Sequence, residues 1–168
     1  MHRGISHTRP EDSVDAFALL KADHKRIGNL IVRLEVTTER SDKYRAGVFE
    51  QLRKNVVAHL EVEEEILYPA LKDYKQIQPP SPEAQEEGKG LRILLEEIAS
   101  IPVYSKEWEA KFVAFRESLR LHLNEKERDL FPKVRRALSP EEWEDLAVLL
   151  ERAHLRHSFQ SSDLVAMH

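Results

Sequence analysis

This sequence predicts an all-α protein: an antiparallel up-down four-helix bundle with a short fifth C-terminal helix. Three observations predict it. Ser13, Ser41, Ser81, Ser105 and Ser139 each stand just before an apolar-periodic stretch, where helix N-caps belong. The apolar residues of each stretch recur at three-to-four spacing, the period of one helix face. Only five of the 168 residues are glycine, which argues against a turn-rich all-β chain.

Residues 1–12 read as a flexible N-terminal segment, 13–137 as the bundle, and 138–168 as a C-terminal helix and tail. Breaks at Thr37–Ser41, Gln76–Pro82 and Ser100–Ser105 divide the bundle into helices over 13–37, 42–74, 82–99 and 106–136, with a fifth over 140–156. The first carries Val14, Phe17, Leu20, His24, Ile27, Ile31 and Leu34 on one stripe. The second carries Phe49, Leu52, Val56, His59, Glu63 and Ile66. The third carries Ala84, Gly88, Leu91, Leu95 and Ile98, with a start made irregular, or delayed past Gly90, by two glycines that each weaken a helix by about 1 kcal/mol. The fourth carries Phe112, Phe115, Leu119, His122 and Lys126, with Leu130 one step off the seam. Pro69 and Pro132 are expected to kink or loosen the last turns of the second and fourth helices. Ser81-Pro82-Glu83 and Ser139-Pro140-Glu141 place proline at the first helical position, and Ser139 with Glu142 forms a capping-box pattern. Trp143, Leu146, Leu149 and Leu150 give the fifth helix an apolar face that caps the bundle or supports a homodimer.

Composition excludes several classes. The net charge of −4, from densely mixed signs, lacks the basic excess of a nucleic-acid surface. No cysteine is present, so disulfides, thiolate sites and Cys-ligated zinc are excluded. No signal peptide is visible, and no apolar run approaches the ~20 residues of a membrane span. A soluble, cytoplasmic protein is expected.

The seam itself carries the chemical information. Eight histidines are present. His2, His7, His154, His157 and His168 lie near the termini and read as surface groups. His24, His59 and His122 all fall on core stripes, which chance would produce with a probability of roughly 0.02 when a seam takes two positions in seven. A lone core histidine is ordinarily a hydrogen-bonded packing residue. Three converging imidazoles cannot satisfy one another, because each neutral ring has one donor and one acceptor; a shared metal satisfies them all. Glu63 follows His59 at i+4 on the same face, and a buried carboxylate is expensive without a cation. Imidazole with carboxylate suits iron or zinc better than calcium or magnesium. Glu61, Glu64 and Glu65 read as solvated.

The chain also repeats internally. His59-Leu60-Glu61-Val62-Glu63 through Leu67-Tyr68-Pro69 matches His122-Leu123-Asn124-Glu125-Lys126 through Leu130-Phe131-Pro132. The preceding segments, Asp23-His24-Lys25-Arg26-Ile27 and Glu87-Gly88-Lys89-Gly90-Leu91, match as well. The bundle therefore reads as two helical hairpins of one design.

At Asp23-His24, His59…Glu63 with Leu67-Tyr68-Pro69, and His122 with Leu130-Phe131-Pro132, the chain resembles the hemerythrin-like HHE cation-binding family, over residues 14–137. The resemblance implies a non-haem iron centre in the bundle, dinuclear in the family. It also implies binding or sensing of oxygen, nitric oxide or iron, or iron–sulfur cluster repair. One half-site is complete in His24, His59 and Glu63. The other is degenerate: Gly88 stands where a histidine belongs, and Lys126 where the second bridging carboxylate belongs. Glu127, at i+5 from His122, is the substitute carboxylate, ahead of Glu125 at i+3.

Three readings follow. Lys126 faces Glu63 in place of one metal's charge, leaving a mononuclear site on His24, His59, Glu63 and His122. Alternatively the site is dead, and the same groups form a polar network in a metal-free interaction or sensory bundle. Or Lys126 swings outward and Glu127 inward, keeping a di-metal centre with an open position beside Gly88. A neutral Lys126 amine as a ligand is a remote fourth. The missing side chain of Gly88 predicts a small pocket there. Zinc, or no metal, stands as the alternative to iron, and a diatomic molecule or metal ion is the expected partner. No acid–base pair flanks a substrate pocket, so the chain is not assigned as an enzyme; a di-iron redox or repair protein is the alternative.

Overall fold

A computed structural model describes residues 15–37, 41–78 and 81–165, with side chains as far as 157. The N-terminal segment 1–12, Ser13, Val14, His2, His7 and His168 lie outside the described residues. The elements are α1 (Ala18–Glu35), α2 (Asp42–Val62), a π-helical turn (Glu63–Leu67), α3 (Tyr68–Lys72), α4 (Pro82–Ala99), α5 (Lys106–Glu125), a second π-helical turn (Lys126–Leu130), α6 (Phe131–Ala137) and α7 (Pro140–Val165). The rods α1, α2–α3, α4 and α5–α6 form the bundle, and α7 is the fifth helix. It continues past the expected end at 156.

The caps follow the sequence. Ser41, Ser81 and Ser105 accept from the backbone N–H of Tyr44, Ala84 and Trp108. The capping box of α7 is closed both ways: Ser139 N–H donates to Glu142 at 2.8 Å, and Glu142 N–H to the Ser139 hydroxyl at 3.2 Å. α4 runs unbroken through Gly88 and Gly90, correcting the expected irregular start. Its Ser81 cap, Pro82 and buried Leu91, Leu95 and Ile98 outweigh two glycines.

Pro69 and Pro132 act one turn earlier than expected. A proline ring clashes with the carbonyl four residues back and offers no N–H to it. The chain widens just before each proline: Tyr68 N–H donates to the Glu63 carbonyl, and Phe131 N–H to the Lys126 carbonyl. Each π turn adds one residue to the register. Tyr68 and Phe131 are thereby turned inward below Glu63 and Lys126, while Ile66, expected on the seam, is only half-buried. The two hairpins share this device, at the same place in the repeat.

The core has two apolar layers. One joins Ile27, Ile31, Leu52, Val56, Leu95, Phe112, Phe115 and Leu119. The other joins Phe17, Leu20, Val62, Leu67, Leu71, Phe131 and Val134 to Trp143, Leu146 and Leu150 of α7. So α7 caps the bundle, and the face suggested for a homodimer is largely occupied within the chain; Leu149 is left exposed. His24, His59, Glu63, His122 and Lys126, with Asp23 beside His59, are among the buried polar groups of the described residues. Among the described residues, no helix is long and apolar enough to cross a membrane.

Candidate metal centre

His24 comes from α1, His59 from α2 and Glu63 from the first residue of the π turn, where i+4 spacing still holds it on the His59 face. Their exposures are 7%, 1% and 1%. One nitrogen or oxygen from each lies within 4.8 Å of the others. Nε2 of His24 is 3.2 Å from Nε2 of His59, which is 3.2 Å from Oε1 of Glu63. His122 reaches the other oxygen of Glu63, with Nε2–Oε2 at 2.9 Å.

All three imidazoles point Nε2 inward and turn Nδ1 toward an outer carboxylate. His24 Nδ1 is 2.6 Å from Glu127 Oε1, a hydrogen bond. His59 Nδ1 is 3.8 Å from Asp23 Oδ2, and His122 Nδ1 is 3.8 Å from Glu87 Oε2. Those two distances are too long for hydrogen bonds. An outer carboxylate is the usual partner of a metal-bound imidazole, fixing its tautomer and orientation.

Glu127 therefore stands behind His24 rather than among the converging atoms, and Glu125 is exposed. Lys126 is turned inward, 6% exposed, which corrects the outward-swinging arrangement. It does not face Glu63 directly either. Its ammonium donates to the Tyr68 hydroxyl and lies 4.7 Å from the centre of that ring, and the hydroxyl donates to Glu63 Oε2 at 3.3 Å. The extra residue of the π turn delivers Tyr68 to this position. The pocket expected at Gly88 is closed: a Cβ there would meet Glu64 Oε1 at 3.2 Å and Leu60 Cδ2 at 3.8 Å. Glu64 is thus no free solvated group; it leans over Gly88 and pairs with Arg92 at 3.1 Å. An open cleft of about 330 Å³ lies beside it, lined by Glu87, Gly90, Leu91, Leu94, Leu121 and His122 among others.

His154 and His157 are also not simple surface groups. His154 Nε2 is 3.0 Å from Asp23 Oδ1, and His157 Nδ1 is 3.4 Å from Glu61 Oε2. Tyr68, Asp23, Glu87 and His154 are the neighbours that sequence reasoning did not place at the site. The available signals were Asp23, beside His24 in the motif that carries the resemblance, and Tyr68, whose counterpart in the repeat is Phe131 and differs from it by the hydroxyl.

Electrostatics follow from this packing. Burial works against charge on His59, but Glu63 and then Asp23 outweigh it and raise its pKa to about 9. Burial and the neighbouring His59 lower His24, against the pull of Glu127. Burial would raise Glu63, yet His59 and His122 hold it well below the usual carboxylate range. Burial and Glu63 push the Tyr68 hydroxyl up. The consistent proton placement has His59 cationic, donating to His24 Nε2, while neutral His24 donates from Nδ1 to Glu127. Glu63 Oε1 is then left buried without a hydrogen bond.

That orphan oxygen is the test of fit for a cation. Bonds of about 2.0–2.1 Å to one ion place tetrahedral neighbours roughly 3.3 Å apart. Two of the three separations, at 3.2 Å, are near that spacing, and the third, between His24 and Glu63, lies within 4.8 Å. Two imidazoles and one carboxylate form a donor set suited to iron or zinc.

The family model described as the hemerythrin HHE cation-binding domain matches residues 15–134. The chain is 26% identical over 137 residues to a curated protein named DNA nickase from Nostoc sp. (strain PCC 7120). The match covers 80% of this chain and 38% of that relative, so the chain spans well under half of its length. No solved structure matches. The matched region contains both hairpins, both π turns and every residue of the converging cluster, and the chain belongs to the hemerythrin HHE cation-binding domain family.

Proposed function

We propose that this domain holds one non-haem iron ion on His24, His59 and Glu63, with His122 beside it, and serves to handle or sense oxygen, nitric oxide or iron. The observation that carries the reading is Glu63 Oε1, buried and without a hydrogen bond, 3.2 Å from His59 Nε2 and grouped with His24 within 4.8 Å. A divalent cation in place of the proton between His24 and His59 satisfies all three atoms. When bound, iron would supply redox chemistry and an affinity for diatomic ligands. The chain's own residues hold the His24 tautomer through Glu127 and set Asp23 behind His59, and the apolar layers exclude water. A second ion lacks donors: Gly88 has no ligand atom, and Lys126 brings positive charge where a carboxylate would be needed.

One observation favours a second reading, a metal-free sensory bundle. The chain Lys126–Tyr68–Glu63–His122 already gives a buried carboxylate a cation and two donors. Metal content by mass spectrometry, on untagged protein before and after anaerobic iron(II) loading, decides between them. About one iron per chain, lost in His59→Ala, supports the mononuclear site. None after loading supports the metal-free bundle. Two would bring Glu127 into the ligand set and overturn both.

A further inference from the structure

The family match ends at residue 134, and α7 begins at Pro140. Yet α7 packs against α1, α2 and the first π turn, the three elements that carry His24, His59 and Glu63. It reaches the cluster by two separate routes.

The first route is polar. His154 Nε2 and Arg26 Nη1 both bind Oδ1 of Asp23, at 3.0 and 3.1 Å. With Oδ1 occupied, Oδ2 is the oxygen turned toward His59 Nδ1, 3.8 Å away. That nitrogen is buried and has no hydrogen-bond partner. An approach of about 1 Å closes the gap to hydrogen-bond distance. Arg26 lies on the same helix as Asp23 and is half exposed, whereas His154 arrives from another helix and is mostly covered. The second route is aromatic. Trp143 meets Phe17 edge-on at 5.4 Å, Phe17 stacks on Phe131 at 4.0 Å, and Phe131 stacks on His24 at 5.9 Å.

We propose that α7 is a clasp on the metal centre, with His154 as a positioning residue that orients His59 through Asp23, and Trp143 as the end of an aromatic column that seats His24. The inference rests on the metal-binding reading above and adds a control element to it. Whatever loosens α7 weakens metal binding, and metal binding in turn tightens α7, because coupling between two equilibria is reciprocal.

The test is iron(II) affinity of the full chain, measured anaerobically by competition with a chromophoric chelator. Removing an outer partner of a ligand usually costs on the order of 10–100-fold in affinity. Asp23→Ala is expected in that range, and His154→Phe, one contact further out, on the order of tenfold. His154→Phe keeps an aromatic ring in the helix interface and loses the nitrogen. His154→Gln keeps a donor at that reach and restores affinity to within about twofold of wild type. A merely structural role would lower the melting temperature of both variants and separate their affinities not at all. Amide exchange along α7 should also slow on iron loading in wild type but not in His154→Phe. Equal affinity in wild type and His154→Phe overturns the clasp while leaving the metal site standing. If wild type takes up no iron, the metal reading fails, and a double-mutant cycle in the metal-free protein decides the clasp. His154→Phe and His59→Ala, which are not in contact, should shift the urea midpoint non-additively; additive shifts overturn it.

Discussion

Replacing Glu63 with glutamine, in protein kept metal-free with a chelator, should make the mutational cost depend steeply on pH. Glu63 is the strongest of the groups that hold the proton on His59, whose pKa it raises, together with Asp23, from 6.5 to about 9 against the effect of burial. A base whose folded pKa is raised contributes stability in full below its unfolded pKa and loses it as pH climbs through the folded value. At about 1.4 kcal/mol per unit, this rise corresponds to about 3 kcal/mol near pH 6, and almost none of it survives at pH 9.5. Glutamine cannot hold that proton, so Asp23 is left to oppose the effect of burial on His59. Urea denaturation of wild type and Glu63→Gln should therefore show a gap in unfolding free energy that narrows by about 2–3 kcal/mol between pH 6 and pH 9.5. A residual gap remains at high pH, because His122 and Tyr68 lose a carboxylate partner. Below about pH 4.5 the wild type loses the same pair from the other side, since the pKa of Glu63 is depressed and its contribution disappears as the carboxylate takes up a proton. A gap that stays constant across pH 6–9.5 would refute the cationic His59–Glu63 pair.

Further expectations concern the groups around it. Iron at 100-fold excess over its Kd should stabilise wild type by about 2.7 kcal/mol in a thermal-shift or denaturant assay, and His59→Ala should abolish the shift. Iron binding must displace the proton between His24 and His59, so affinity should rise with pH from 6 to 9, with about one proton released per ion in weakly buffered dye titrations. Tyr68→Phe leaves Lys126 and Glu63 buried without their common hydroxyl and should cost about 1–3 kcal/mol in urea unfolding, whereas Phe131→Leu tests packing alone. Gly90→Ala, with open space around its Cβ, should stabilise by about 1 kcal/mol. Gly88→Ala should give less, because the Glu64 carboxylate must first move aside.

The helices were legible because burial and hydrogen bonding act locally. Serine caps, proline at first positions and stripes such as Leu20, Ile27, Ile31 and Leu34 state where each helix starts and which face it buries. The π turns were not legible. Pro69 and Pro132 signal a disturbance, but the choice between a kink and a widened turn depends on whether Tyr68 and Phe131 gain more by pointing inward, which only the packed neighbours decide. The expected pocket at Gly88 failed for a similar reason: Glu64 looks like one of a solvated run, and only its neighbour Arg92 across the groove turns it over the glycine.

His24, His59, Glu63 and His122 could be named from the sequence because polar groups on an apolar stripe must find partners inside, whatever the details of packing. Their mutual distances, the carboxylate behind each ring and the route from Lys126 through Tyr68 could not. Those contacts join residues as far apart as His24 and Glu127, or Asp23 and His154. Hydrophobic periodicity is a property of one helix and survives in one dimension. An electrostatic site is a sum over several helices, and its terms exist only when tertiary structure sets the distances.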